Sequence, residues 1–270
     1  MTIATLPAGL RPAFRDDLLR LGSPHDGGYV LTRRLIAATD FLLSFGISVD
    51  WSFERAFRDA RPGRQGVFCH GYDHTVSGAH FRKLAMREFF RCLSRPHKAS
   101  RALLRLHADY KAFFDGRGAV HFRERIHWRD GGRDCTIATA MGRVPADRNV
   151  FLKMDIEGGE YRVLADALPF ADRIVGMAIE FHEVDILTDR FMDLIGRLGR
   201  VYDLVHVHAN NFSGLGPNGW PVALELTYER KDLGGDPAPD SGIGAERTYP
   251  LAGLDGPNDP GQPDIGLRFG

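Results

Sequence analysis

The sequence has no excess of either charge: 35 Lys and Arg stand against 35 Asp and Glu in 270 residues. Without a net field there is no general attraction to nucleic acid or to an anionic membrane, so neither is an expected partner. Cysteine is scarce. Cys69, Cys92 and Cys135 are odd in number and far apart, which excludes a disulfide framework or a Cys-based zinc site. They read as reduced, mostly buried thiols of a cytoplasmic protein. No apolar run approaches the roughly 18 residues that cross a bilayer. Met1–Pro7 has no basic stretch leading into an apolar one, so no secretory leader is expected. Internal repeats and low-complexity blocks are absent too.

What is present is an ordinary globular composition, 43% hydrophobic and 26% charged, at a length that suits one sizeable domain with decorations. Short β-rich runs alternate with helical patterns, which predicts a mostly parallel α/β sheet. The predicted strands are 41–45, 66–72, 120–128, 149–154, 174–181, 201–208 and 222–230. Helices are predicted over 51–59, 136–141, 158–168 and 189–198. Two more amphipathic helices fill the interval after the second strand, marked by Phe81, Leu84, Phe89 and Leu93, then by Leu103, Leu106, Tyr110 and Phe113. Pro96 and Ser100 punctuate between them. The order suits a seven-stranded doubly wound sheet carrying a helical insertion at 76–118. Residues 1–40 read as an extension packing on the core domain of 41–232, and 233–270, rich in Gly, Pro and Asp, as a loop-forming tail.

Charge is uneven along the chain. Ten Lys and Arg lie between Arg82 and Arg117 against Glu88, Asp109 and Asp115. That stretch reads either as a basic lid over an anionic acceptor or as a solvated face balanced by the acidic tail.

In doubly wound sheets ligands bind beyond the carboxyl ends of the strands. Asp73, Asp155, Glu157, Glu180, His182, His208 and Asn210 all fall at or just past such ends. Gly46 lies at the first strand-to-helix turn, where a glycine admits close backbone approach. Asp73, one strand over, can accept hydrogen bonds from the two hydroxyls of a ribose, or cap a helix. Together the two point to a nucleoside site. The segment 152–161, LKMDIEGGEY, sets a lysine and three acids around a strand end that would otherwise be apolar. Buried unpaired they would cost several kcal/mol, so they pair mutually or serve a ligand. Asp155 is placed to hold a cationic amino group, Lys153 to partner an acid, and Glu160 to complement a helix dipole. His206 and His208, at i and i+2 with carboxylates nearby, resemble a metal pair but lack zinc-type spacing.

Residues 152–161 resemble the Lys-x-Asp-x-Glu-Gly-x-Glu signature of FkbM-type methyltransferases. The likeness extends to Asp26-Gly-Gly-Tyr29, Ser44 through Glu54, Gly71 through Thr75, Glu180-Phe-His182, His208 through Asn211 and Glu225 through Tyr228, over roughly residues 20 to 265. Gly46-Ile-Ser48-Val-Asp50 departs from the usual Gly-x-Gly-x-Gly. The resemblance implies a Rossmann-like class I methyltransferase fold, S-adenosylmethionine as donor, and a hydroxyl acceptor on a small molecule or glycan. On this reading Gly46, Asp50, Glu54, Asp73 and Asp155 hold the cofactor. His182 is the first candidate for the base that takes the acceptor proton and His208 the second, with a divalent metal as the alternative aid. Asp155, Glu157, Glu180 and Asn210 complete the catalytic set by orienting the acceptor. Two rival functions use the same residues: a metal-dependent hydrolase or sugar-nucleotide transferase, and a non-catalytic nucleoside-binding module.

Overall fold

A computed structural model describes residues 2–61, 66–77, 79, 81, 83, 86, 97–233 and 247–270, with the backbone alone at 97–100. Seven strands form the central sheet: β4 (Phe41–Phe45), β5 (Phe68–Tyr72), β6 (Ala119–Phe122), β9 (Val150–Met154), β10 (Ile174–Phe181), β11 (Tyr202–Leu215) and β12 (Pro221–Arg230). Their order is β11-β12-β10-β9-β4-β5-β6. The neighbours from β10 to β6 pair in parallel, and β12 runs antiparallel to both β10 and β11. This is the Rossmann-like architecture expected of a class I methyltransferase, with a seven-stranded, mostly parallel, doubly wound sheet. Strands covered on both faces have no polar side to present. Accordingly FLLSF of β4 and IVGMAIEF of β10 are buried at every position.

Two apolar clusters sandwich the sheet. One includes Leu43, Phe45, Leu152, Met154 and Phe181, with Val163, Phe191 and Leu194 from the helices α5 (Glu160–Val163) and α6 (Thr188–Leu198). The other joins Leu42, Phe151 and Ala178 to Leu35 of α1 (Arg33–Ala38) and to Phe53 and Phe57 of α2 (Ser52–Ala60). The order of strand addition reverses between the parallel neighbours β4, which leads outward to β5 and β6, and β9, which leads the other way to β10. That switch point is where a crevice opens in such sheets.

Several predicted elements differ from the observed ones. The third strand ends at Phe122 rather than continuing to Trp128, because β5 ends at Tyr72 and leaves it no partner. Beyond it, Arg125–Ile126 (β7) pairs only with Asp134–Cys135 (β8). Ser100 lies inside α3 (His97–Phe113) and does not break it. The helix predicted over 158–168 is one turn of α5 followed by a 3-10 segment, Leu164–Phe170, that contains Pro169. The tail is not all loop: β13 (Ile265–Phe269) pairs in parallel with β1 (Thr2–Leu6).

A hairpin of β2 (Leu18–Gly22) and β3 (Gly28–Thr32) packs on β12, where the Thr227 hydroxyl donates to the Val30 carbonyl at 2.8 Å. Of the basic stretch, Arg82, Arg87, Arg91 and Arg95 lie outside the described residues. Its helix α3 docks on the start of α2: Trp51 Nε1 donates to Asp109 at 2.8 Å, and Arg55 pairs with the same carboxylate at 2.7 Å. Cys69 and Cys135 are buried and free. Among the described residues no helix is long and apolar enough to cross a membrane.

Candidate active site

The carboxyl ends of β4, β5 and β9 border a cleft of about 500 Å³. Gly46, Asp73, Asp155 and Glu157, four of the residues expected at a site, line it together with Ser48, Thr75, Glu124 and His127. Gly46 has φ +79°, and a Cβ built there would lie 1.7 Å from the Asp155 carbonyl oxygen, so only glycine fits where the two turns cross. Ser48 and Glu157 also take left-handed backbone, with φ +45° and +56°. For residues with side chains that conformation costs of order 1–3 kcal/mol and gathers at functional sites.

Asp73 stands at the end of β5. Its Oδ2 accepts the Ser48 amide at 2.8 Å, and its Oδ1 accepts the Thr75 amide at 2.7 Å and the Thr75 hydroxyl at 2.6 Å. Burial alone would raise its pKa, but these donors outweigh burial and hold the carboxyl below its usual range. An ionised carboxylate has about four acceptor positions, so roughly one remains for a ligand.

Lys153 is buried beneath the cleft. Its ammonium donates to the Gly46 carbonyl and lies 3.4 Å from Asp155 Oδ2. Burial works against its charge, but Asp155, Glu54 and Glu180 more than compensate, and its pKa is raised. Glu54 faces this lysine from below: it is buried, accepts the Ser44 hydroxyl, and does not reach the cleft. Burial pushes its carboxyl up against the pull of Lys153 and Ser44. Asp50 turns outward and accepts the Ser52 amide at 2.8 Å. The expected cofactor set therefore divides into Gly46, Asp73 and Asp155 at the cleft, Glu54 beneath it, and Asp50 outside.

His182 follows β10 and stands among acids. Its Nε2 is 3.6 Å from Glu157, 3.8 Å from Glu180 and 3.9 Å from Asp155, and its Nδ1 is 3.4 Å from Glu160. Burial opposes protonation, but Glu160 and the other carboxylates prevail and lift the imidazole to about 9. The surrounding carboxylates thus favour the protonated ring over the free base. Glu180 is buried, accepts a hydrogen bond from Asn210 Nδ2 at 2.7 Å, and is pushed well up by burial and by Asp155 and Glu225.

His208 does not reach the cleft. It is 1% exposed and lies between Glu225 and Asp264, each 3.2 Å away, with its pKa raised to about 10 by these partners against the effect of burial. The second candidate for the base is thus paired with two carboxylates and lies apart from the residues that line the cleft. His206 is likewise paired, with Asp255 at 3.1 Å.

Ser48, Thr75, Glu124 and His127 were not singled out from the sequence. Ser48 and Thr75 sit inside the two turns that were. Glu124 was hidden by the strand overrun: with β6 ending at Phe122, it too lies just past a strand end, where Arg143 pairs with it at 2.6 Å.

No family model and no curated protein matches the sequence. Among solved structures the chain is similar to a precorrin-6Y C5,15-methyltransferase from Geobacter metallireducens GS-15, with 10% identity and a TM-score of 0.35 over 73% of this chain and 84% of that one. A fibrillarin/Nop5p complex shows 11% identity and a TM-score of 0.38, over 84% of this chain and 99% of that one. The 23S rRNA methyltransferase ErmE shows 10% identity and a TM-score of 0.36, over 74% and 66%.

Proposed function

We propose that the chain is an S-adenosylmethionine-dependent methyltransferase, of the FkbM type, that methylates a hydroxyl oxygen of a small molecule or glycan. One observation carries this reading: Gly46, Asp73 and Asp155, from three adjacent parallel strands, border one cleft at the switch point of the sheet. The free acceptor position on Asp73 suits a ribose hydroxyl. Asp155, Glu157 and Glu180 make the β9–β10 side acidic, which suits a donor with a sulfonium and an ammonium group. Methyl transfer is an in-line displacement in which positioning does much of the work. His182, Glu157 and Glu180, with Asn210 holding Glu180, stand on that side to orient the acceptor. The balanced charge of the chain gives a polyanionic acceptor no general field to follow.

Calorimetry with S-adenosylmethionine and S-adenosylhomocysteine tests the reading. Binding of both supports it, as would S-adenosylhomocysteine carried through purification. A chain that binds neither is not this enzyme. The grouping of Asp155, Glu157 and His182 around one point also suits a metal-dependent hydrolase or sugar-nucleotide transferase. That alternative predicts a bound ion and no affinity for either nucleoside.

A further inference from the structure

The ligand-forming atoms of Asp155, Glu157 and His182 all lie within 4.8 Å of one another, and His182 Nε2 is 3.6 Å from Glu157 and 3.9 Å from Asp155. Neighbouring ligands around an octahedral ion with bonds of about 2.1–2.4 Å are themselves about 3.0–3.4 Å apart. Side-chain shifts of about an ångström would close such a shell.

The far side of the ring is a second, separate observation. Glu160 is fully buried; its Oε1 accepts the Ile156 amide at 2.9 Å and faces His182 Nδ1 at 3.4 Å, while that Nδ1 and Glu160 Oε2 are both buried without a hydrogen-bond partner. A carboxylate behind one ring nitrogen is the arrangement that aims the other nitrogen at a metal and fixes its tautomer. Charge points the same way. Lys153 offsets Asp155 at 3.4 Å, but neither Glu157 nor Glu160 has a Lys or Arg within ion-pair distance among the described residues. The left-handed backbone at Glu157 and at Glu183, φ +56° and +55°, shapes the two turns that bring these groups together.

We propose that Asp155, Glu157 and His182 bind one divalent transition-metal ion at the rim of the cleft, with Glu160 as the positioning residue behind the imidazole. Two carboxylates and one imidazole suit Mn2+, Fe2+ or Zn2+ better than Mg2+ or Ca2+, which take oxygen ligands alone. Three protein ligands leave positions open, and Asp155 and Glu157 both line the cleft. The open positions face an acceptor with a hydroxyl, or two adjacent hydroxyls, that can coordinate the ion. That acceptor class rests on the methyltransferase reading; the binding of the ion does not.

The test is Mn2+ binding to the chelator-treated full chain, followed by electron paramagnetic resonance with no nucleoside added. One ion per chain is expected, with nitrogen hyperfine coupling from a single imidazole. Folded His182→Ala should lose that coupling. His182→Ala and Asp155→Asn should each weaken binding more than about tenfold, and Glu160→Gln by about tenfold. No stoichiometric binding at millimolar Mn2+ would overturn the proposal, as would a bound ion without nitrogen coupling, or undiminished binding by folded His182→Ala. Where a variant does not fold, the coupling in the unsubstituted protein decides. Calorimetry with S-adenosylhomocysteine separates the two readings. Nucleoside binding without an ion sinks the metal site alone, and an ion without nucleoside binding sinks the methyltransferase alone.

Discussion

The carbonyl oxygen of Asp155 occupies the space that a side chain on Gly46 would need, 1.7 Å from an ideal Cβ. The two turns are also tied by their backbones, the Asp155 amide donating to the Phe45 carbonyl at 3.0 Å. Gly46→Ala must therefore separate the ends of β4 and β9 while forcing alanine to φ +79°. The conformation alone costs about 1–3 kcal/mol, and each kcal/mol lowers the melting temperature of a domain this size by about 2–4 °C. A fall of at least about 2 °C is expected from the conformation alone, with nucleoside binding impaired. A melting curve that superimposes on the parent's would show that the crossing is not rigid.

Asp73→Ala should reduce affinity for S-adenosylmethionine by about 2–5 kcal/mol, the usual loss on removing a buried charged hydrogen-bond partner. Asp73→Asn keeps an acceptor oxygen and should lose less. Calorimetry on both variants, alongside their melting temperatures, separates the ribose contact from support of the Ser48 turn. Unchanged affinity in Asp73→Ala would remove this residue from the cofactor site.

The sheet was legible where a strand is buried on both sides. The run 174–181 has the same limits in sequence and structure because Ile174–Ile179 holds no polar side chain and Arg173 and His182 bound the run closely. Legibility failed where pairing decides: nothing in His121–Trp128 says that β5 stops at Tyr72 and leaves the rest unpaired. The site follows the same division. Gly46, Asp73 and Asp155 could be found because strand ends are local features. His208 has the same local signature, and nothing local shows that Asp264, 56 residues further on, pairs with it. Glu160 read as a helix-dipole acid; its place behind His182 depends on how α5 sits against the end of β10.

Acid stability should carry the mark of His70. Its ring packs edge-on to Phe41 and Phe122 at 4.7 and 4.8 Å between centroids, with Nδ1 buried and unpartnered. Burial, assisted by Arg143, lowers its pKa to about 4. The unfolded chain, near the ordinary 6.5, then binds the extra proton first. Stability is full above pH 6.5 and falls on the way to about 4, by up to about 1.4 kcal/mol per pH unit for this one site. Urea unfolding of His70→Phe should show a shallower loss than the parent between those limits. Parallel curves would mean that His70 does not titrate on unfolding.

The opposite sign holds at His208. Its pKa is raised to about 10 in the fold, so its contribution is complete below pH 6.5 and disappears as pH rises through about 10. His208→Gln leaves Glu225 and Asp264 without their cation and should cost about 3–5 kcal/mol near pH 6. The difference between variant and parent should shrink toward pH 10. Chemical denaturation across that range measures it, and a difference independent of pH would point to lost packing instead of lost charge.

The segment around residues 255–264 also sets an order of events in time. Asp264 completes the His208 pair, Asp255 meets His206, and Asn258 Nδ2 reaches Glu225 at 2.6 Å and Asp26 at 3.2 Å. A ribosome adds about 5–20 residues per second, so β11 and β12 exist for seconds before these partners are made. During that interval the hairpin can pair its backbone, but Glu225 and Glu180 face each other with part of their compensation still missing. Closure of the far edge of the sheet is then the late step of folding, and substitutions at Asp264 or Asn258 should slow it while leaving the assembly of β4, β5 and β9 untouched.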